Sequence, residues 1–138
     1  MQKLPIIMVA TGASVCVLVG SVTAQSGGRG KDPRAEAQKA VMDDMADAQE
    51  DLRDALATKD GEAVSVAALK IEGFMAKTES YWAAKRAADI VKLAQTSRAL
   101  SKDVAAAGAA NKILVAQAAL EKLSANCNAC HDLHPEKR

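Results

Sequence analysis

The chain has 138 residues, one domain's worth, with 18 basic and 17 acidic side chains and a formal net charge of +1. That balance lacks the basic excess of a nucleic-acid binder and excludes that class of partner. Although 49% of the residues are apolar, they include only one Phe, one Trp and one Tyr, so the core is thin and a bound cofactor would supply the missing bulk.

Lys3, the uncharged and mostly apolar run over residues 4–22, and the small-x-small triplet Val22-Thr23-Ala24 read as an export signal over residues 1–24. Its removal takes away Lys3 and no acid, leaving 17 basic against 17 acidic residues. No stable membrane span is then expected. Cys16 follows Val15, where a lipid-attachment site would need a small residue, so it is not read as an anchor. The stretch "QSGGRGKDPR" supplies a flexible lead-in over residues 25–32, leaving residues 33–138 as the folded domain.

From Pro33 onward the pattern is helical, with no period-two alternation and no further proline until Pro135. A first helix is predicted over residues 33–58, capped by Asp32, with Met42, Met45, Ala48, Leu52, Ala55 and Leu56 on its inner side and Gly61 as its stop. A second is predicted over residues 62–77, carrying Val64, Ala67, Ala68, Ile71, Phe74 and Met75. The stretch "KTES" reads as a break in which Ser80 caps a third helix starting at Tyr81 and fading at Gly108. That helix would carry Trp82, Ile90, Leu93, Leu100 and Val104. The fourth is predicted over residues 109–133, with Ile113, Ala116, Leu120 and Leu123 inward. Four amphipathic helices with short connections predict an all-α fold, an antiparallel up-down-up-down four-helix bundle. Acidic residues 43–54 and basic residues 85–102 form oppositely charged, solvated faces.

Chemistry concentrates in "CNACH", Cys127 to His131. Steps of three and four residues lead from Leu120 and Leu123 to Cys127 and Cys130, which places both thiols and the adjacent His131 on the face that looks into the bundle. Zinc would need four tetrahedral ligands, and the second pair is missing unless the chain unwinds to bring in His134. A redox dithiol belongs at the start of a helix after a strand, whereas this motif ends a helix, and a structural disulfide here would close only a very short loop. Covalent haem explains the whole spacing: two thiols one turn apart form thioethers to two vinyl groups, and the following His meets the iron. There is no Ser/His/Asp set, phosphate-binding glycine loop or carboxylate pair assignable to a cleft, so no enzyme signature.

An exported all-helical chain with "CNACH" near its C-terminal end resembles the class II c-type cytochromes, the cytochrome c-prime group and its low-spin relatives. The likeness covers the mature domain in architecture, but only the haem motif is sharply specific. It implies one covalently attached haem c per chain, a periplasmic location, redox partner proteins, frequent homodimers, and a role in single-electron transfer. The alternative within the group is five-coordinate binding of nitric oxide or carbon monoxide. The basic residue that often follows the haem motif in gas-binding members is replaced here by the region of His134 and Pro135.

Antiparallel packing would bring Met42, Met45, Phe74, Met75, Tyr81, Trp82, Lys85 and Arg86 near the motif. His134 shares the terminal segment with His131 and cannot reach the opposite side of a haem, so the distal candidates are Met42, Met45 and Met75. The resemblance places a ligating Met early in the first helix of low-spin members, which makes Met42 the first choice and Met45 the second. Phe74 and Trp82 would line the pocket, and Lys85 and Arg86 would pair with the propionates.

Overall fold

The computed structural model describes residues 32–134, so the proposed export signal, Cys16 and nearly all of the lead-in lie outside the described residues. Four helices follow one another: α1 (Pro33–Thr58), α2 (Gly61–Ala84), α3 (Ala88–Ala109) and α4 (Ile113–Leu133). There is no strand among the described residues. Short turns make successive helices antiparallel, giving a four-helix bundle in which each helix packs on its neighbour in the chain while α1 and α4 barely touch. No helix among the described residues is long and apolar enough to cross a membrane.

The start of α1 follows from local chemistry. Asp32 accepts the Arg34 N–H at 3.0 Å, and Pro33 needs no donor partner in the first turn. The helix ends one turn before Gly61, because Lys59 itself takes the left-handed conformation at φ 59°. Its N–H and that of Asp60 then return to the Leu56 and Ala55 carbonyls at 3.2 and 2.9 Å. Asp60 caps α2 by accepting the Ala63 N–H at 3.0 Å.

The predicted break at "KTES" is not there. Helix α2 runs through it to Ala84, and Ser80, expected as a cap, instead donates its hydroxyl to the Ala76 carbonyl at 3.0 Å. Tyr81 and Trp82 therefore belong to α2, and α3 starts only at Ala88, after Arg86 turns the chain at φ 58°. Likewise α4 begins at Ile113 rather than residue 109, after Asn111 reverses the chain at φ 54°.

The two glycines read as stops serve packing instead. A Cβ on Gly61 would lie 2.5 Å from the Gly108 carbonyl oxygen, and one on Gly108 would lie 2.7 Å from Val64 Cγ1. The start of α2 and the end of α3 thus approach backbone to backbone, which only residues without a side chain permit.

Small side chains fill the interior. Leu52, Val64, Ile71, Val104 and Leu123 are essentially inaccessible, and Ala48, Ala67, Ala68, Ala94 and Ala116 pack between them. Helix α4 contributes only Ala116 and Leu123 as fully buried residues. The α2–α3 seam carries a polar lock: Arg98 reaches Glu72 at 2.8 Å and Glu79 at 2.7 Å, while Gln95 donates to Glu79 at 2.8 Å.

Gln95 and then Arg98 hold the Glu79 carboxyl below its ordinary pKa. The Arg34 N–H and then Lys85 do the same for Asp32, and a hydrogen bond with His134 lowers Asp89. A carboxyl depressed in the folded chain stabilises it above the unfolded pKa, and that contribution disappears as pH falls through the folded value. The thermal midpoint, followed by circular dichroism, is therefore expected to stay level down to about pH 5 and to drop below about pH 4. Glu79→Gln should flatten the drop; a midpoint that rises on acidification contradicts this assignment.

Candidate functional site

Because α1 and α4 diverge, an apolar cavity of about 310 Å³ opens within one end of the bundle, and all four helices wall it. Helix α4 supplies Cys127, Cys130, His131 and His134, and α1 supplies Gln38, Met42, Met45, Ala46 and Gln49. Met75, Thr78 and Trp82 come from α2, and Ile90, Leu93, Ala94 and Ser97 from α3.

Of the residues singled out by sequence, Cys127, Cys130, His131, Met42, Met45, Met75 and Trp82 come together on this cavity, and Tyr81 does not line it. Phe74 and Arg86 are not among its lining residues. Phe74 packs half-buried against the core, and Arg86 sits exposed in the α2–α3 turn. Lys85 is taken up elsewhere, 3.5 Å from Asp32 and over the Tyr81 ring. Sequence reading missed Gln38, Gln49, Thr78, Ser97 and the cavity position of His134. The visible signal for the α3 wall was the four-residue step from Leu93 to Ser97, which a misplaced helix start concealed.

The two methionines differ in setting. Met45 is a core residue at 3% exposure, whereas Met42 is half-buried and packs only against the core's edge. Met42 can thus leave its packing at less cost.

The thiols are unlike those of a redox dithiol. Burial pushes the Cys127 thiol up, only partly offset by Ser97, and burial, Cys127 and Asp89 push the Cys130 thiol up. Reactive disulfide-exchange cysteines have lowered values, and both cysteines here are free. Among the described residues no three His, Cys, Asp or Glu side chains gather as a metal-binding group. A zinc site built from Cys127, Cys130, His131 and His134 therefore has no geometric support. His134 Nε2 instead lies 2.8 Å from Asp89 Oδ2.

His131 is the odd member. Its Nδ1 is sealed from solvent and has no hydrogen-bond partner among the described residues. An unsatisfied buried polar nitrogen costs about 1–3 kcal/mol, so the imidazole stands on the cavity wall with unmet bonding capacity, in contrast to the engaged ring of His134. Polar ties hold the walls in place: Gln38 donates to Thr78 across α1 and α2 at 3.0 Å, and Asn126 on α4 donates to Leu93 and Ser97 on α3.

Comparison of the chain with protein-family models, with curated proteins and with solved structures gives no match.

Proposed function

We propose that this chain is an exported c-type cytochrome that carries single electrons, with one haem held in the α1–α4 gap through thioethers to Cys127 and Cys130. The observation that carries the reading is the convergence of both thiols and His131 on one wall of an apolar cavity lined by all four helices. Donor chemistry fits the group. Two protonated thiols and the His131 ring line a space that protein atoms leave unfilled. When bound, haem supplies one-electron Fe(III)/Fe(II) chemistry. His131 would hold the iron from α4, and Met42 would approach it from α1. Trp82, Ile90, Leu93 and Ala94 exclude water from the site, which favours the apolar ring over solvent.

A Met42 thioether held to the iron together with His131 would raise the potential. The periplasm is the proposed location, resting on residues 1–24, and the partners are redox proteins. The class II likeness belongs to the same proposal.

The deciding experiment is mass spectrometry, with absorbance spectra in both oxidation states, on the chain expressed with its leader in a bacterium that matures c-type cytochromes. The expected product lacks residues 1–24, carries one haem that survives denaturation, and is low-spin when oxidised and reduced. A colourless, unmodified polypeptide overturns the proposal. A haem-bearing but high-spin product that binds carbon monoxide replaces electron transfer by gas binding.

A further inference from the structure

At about 100° per residue, the three cavity-facing side chains of α4, Cys127, Cys130 and His131, occupy an arc of about 100°. A slip of α4 by one residue would turn Cys127 out of that arc. Apolar packing resists such a slip weakly, because it is non-directional and α4 buries only Ala116 and Leu123 completely.

Two directional contacts tie this end of the chain to α3: His134 to Asp89 at 2.8 Å just after the motif, and Asn126 immediately before it. Asn126 Nδ2 donates to the Leu93 carbonyl at 2.9 Å and to Ser97 Oγ at 2.8 Å, so the amide nitrogen spans one turn of α3. Both receptors belong to residues on the cavity wall. Ser97 is 2% exposed, and its oxygen lies 4.0 Å from Cys127 Sγ. Thr78, Ser80, Thr96 and Ser101 each return their hydroxyl to the carbonyl four residues back, whereas the Ser97 oxygen faces α4. Asn126 donates to that oxygen, and between Ser97 Oγ and the Cys127 thiol either group can be the donor. Asparagine is a mediocre helix former, so helix propensity gives no reason for it here.

We infer that Asn126, received by Ser97 and Leu93, is a positioning residue that sets the rotation of α4 so that the Cys127 sulfur meets the haem vinyl group. This rests on the haem reading above. In the bond-forming step the S–H bond and the vinyl π bond are exchanged for a C–S and a C–H bond, with the thiol proton ending on the second vinyl carbon and no oxidant consumed. Afterwards the thioether sulfur can only accept, and Ser97 supplies the donor. Among the described residues Cys130 has no such tie, and it serves as the internal reference.

The test compares exported holoprotein for wild type, Asn126→Ala, Ser97→Ala and, as a control on the opposite seam of α3, Arg98→Ala. Alkylation of unlinked thiols followed by peptide mass mapping reports each cysteine separately. The pyridine haemochrome band, which moves to longer wavelength when a vinyl group remains, gives an independent readout. Asn126→Ala, which removes both hydrogen bonds of the amide nitrogen, should raise the fraction with unlinked Cys127 and linked Cys130 at least about fivefold, the factor corresponding to roughly one lost hydrogen bond. Ser97→Ala, which preserves volume and helix, should move it in the same direction by less, and it carries the test if Asn126→Ala is degraded. Arg98→Ala should leave the ratio unchanged. Wild-type linkage in both Asn126→Ala and Ser97→Ala, or equal loss at both cysteines in all three variants, overturns the positioning role alone. A wild type bare at both cysteines overturns the haem reading itself.

Discussion

Under the proposed haem reading, Met42→Ala is expected to turn a low-spin product into a high-spin one that binds carbon monoxide, while Met45→Ala keeps the spectrum and loses stability. The opposition follows from where the two side chains sit. Both line the cavity, but Met45 is sealed into the core at 3% exposure, whereas Met42 is half-buried at its edge. Truncating a fully buried methionine leaves a void and costs about 2–5 kcal/mol. For a domain of this size that corresponds to a fall in Tm of more than about 8 °C.

Met42 makes less of the core, so its removal costs less, but it takes away the thioether that would face the iron. The far-red absorption band of methionine-ligated ferric haem should disappear in Met42→Ala, and the reduction potential should fall, since a thioether ligand raises it. Optical spectra, carbon monoxide titration and thermal melts on the two variants separate the roles. If Met45→Ala loses the band and Met42→Ala retains it, the distal assignment passes to Met45. If neither wild type nor variant shows the band, the gas-binding alternative takes over.

The parts of this site that the sequence shows are the local ones. "CNACH" carries its own geometry, because three- and four-residue steps on a helix put Cys127, Cys130 and His131 on one face wherever the helix lies. The start of α1 was equally legible, since Asp32 and Pro33 act within one turn. What failed was punctuation. The three residues that reverse the chain with positive φ are Lys59, Arg86 and Asn111, and two of them belong to types that seldom adopt that conformation. Meanwhile Gly61 and Gly108, the residues a reader takes for stops, are consumed by the α2–α3 crossing. Ser80 looked like a cap but bonds backward within its helix, and that single substitution of roles moved Trp82 from α3 to α2. The far walls of the cavity depend on those helix ends and on interhelix ties such as Gln38 to Thr78 and Asn126 to Ser97. Such ties join residues 29 and 40 positions apart, beyond the reach of local patterning.

Under the same proposal, Cys127→Ser combined with Cys130→Ser is expected to abolish covalent haem and to release α4 from the bundle. A serine hydroxyl does not add to a vinyl group as a thiol does, so denatured protein should carry no tetrapyrrole mass. The structural consequence follows from how α4 is held: Ala116 and Leu123 are its only fully buried residues, and it scarcely meets α1. Without the porphyrin the faces of α1 and α4 around the cavity have nothing apolar between them, and the alanine-rich core offers no aromatic ring large enough to replace it. Burying apolar surface is worth about 25 cal/mol per Å², so losing a large flat ligand removes several kcal/mol from a domain whose total is about 5–15 kcal/mol. Hydrogen exchange read by mass spectrometry should show the amides of α4 losing protection before those of α2 and α3, which the Arg98 lock and the Gly61–Gly108 crossing keep together. The single Cys130→Ser variant, with one thioether left, should stay coloured and folded. A double variant as stable and as protected in α4 as the wild type would mean that the cavity needs no filling, and the haem would lose its structural role.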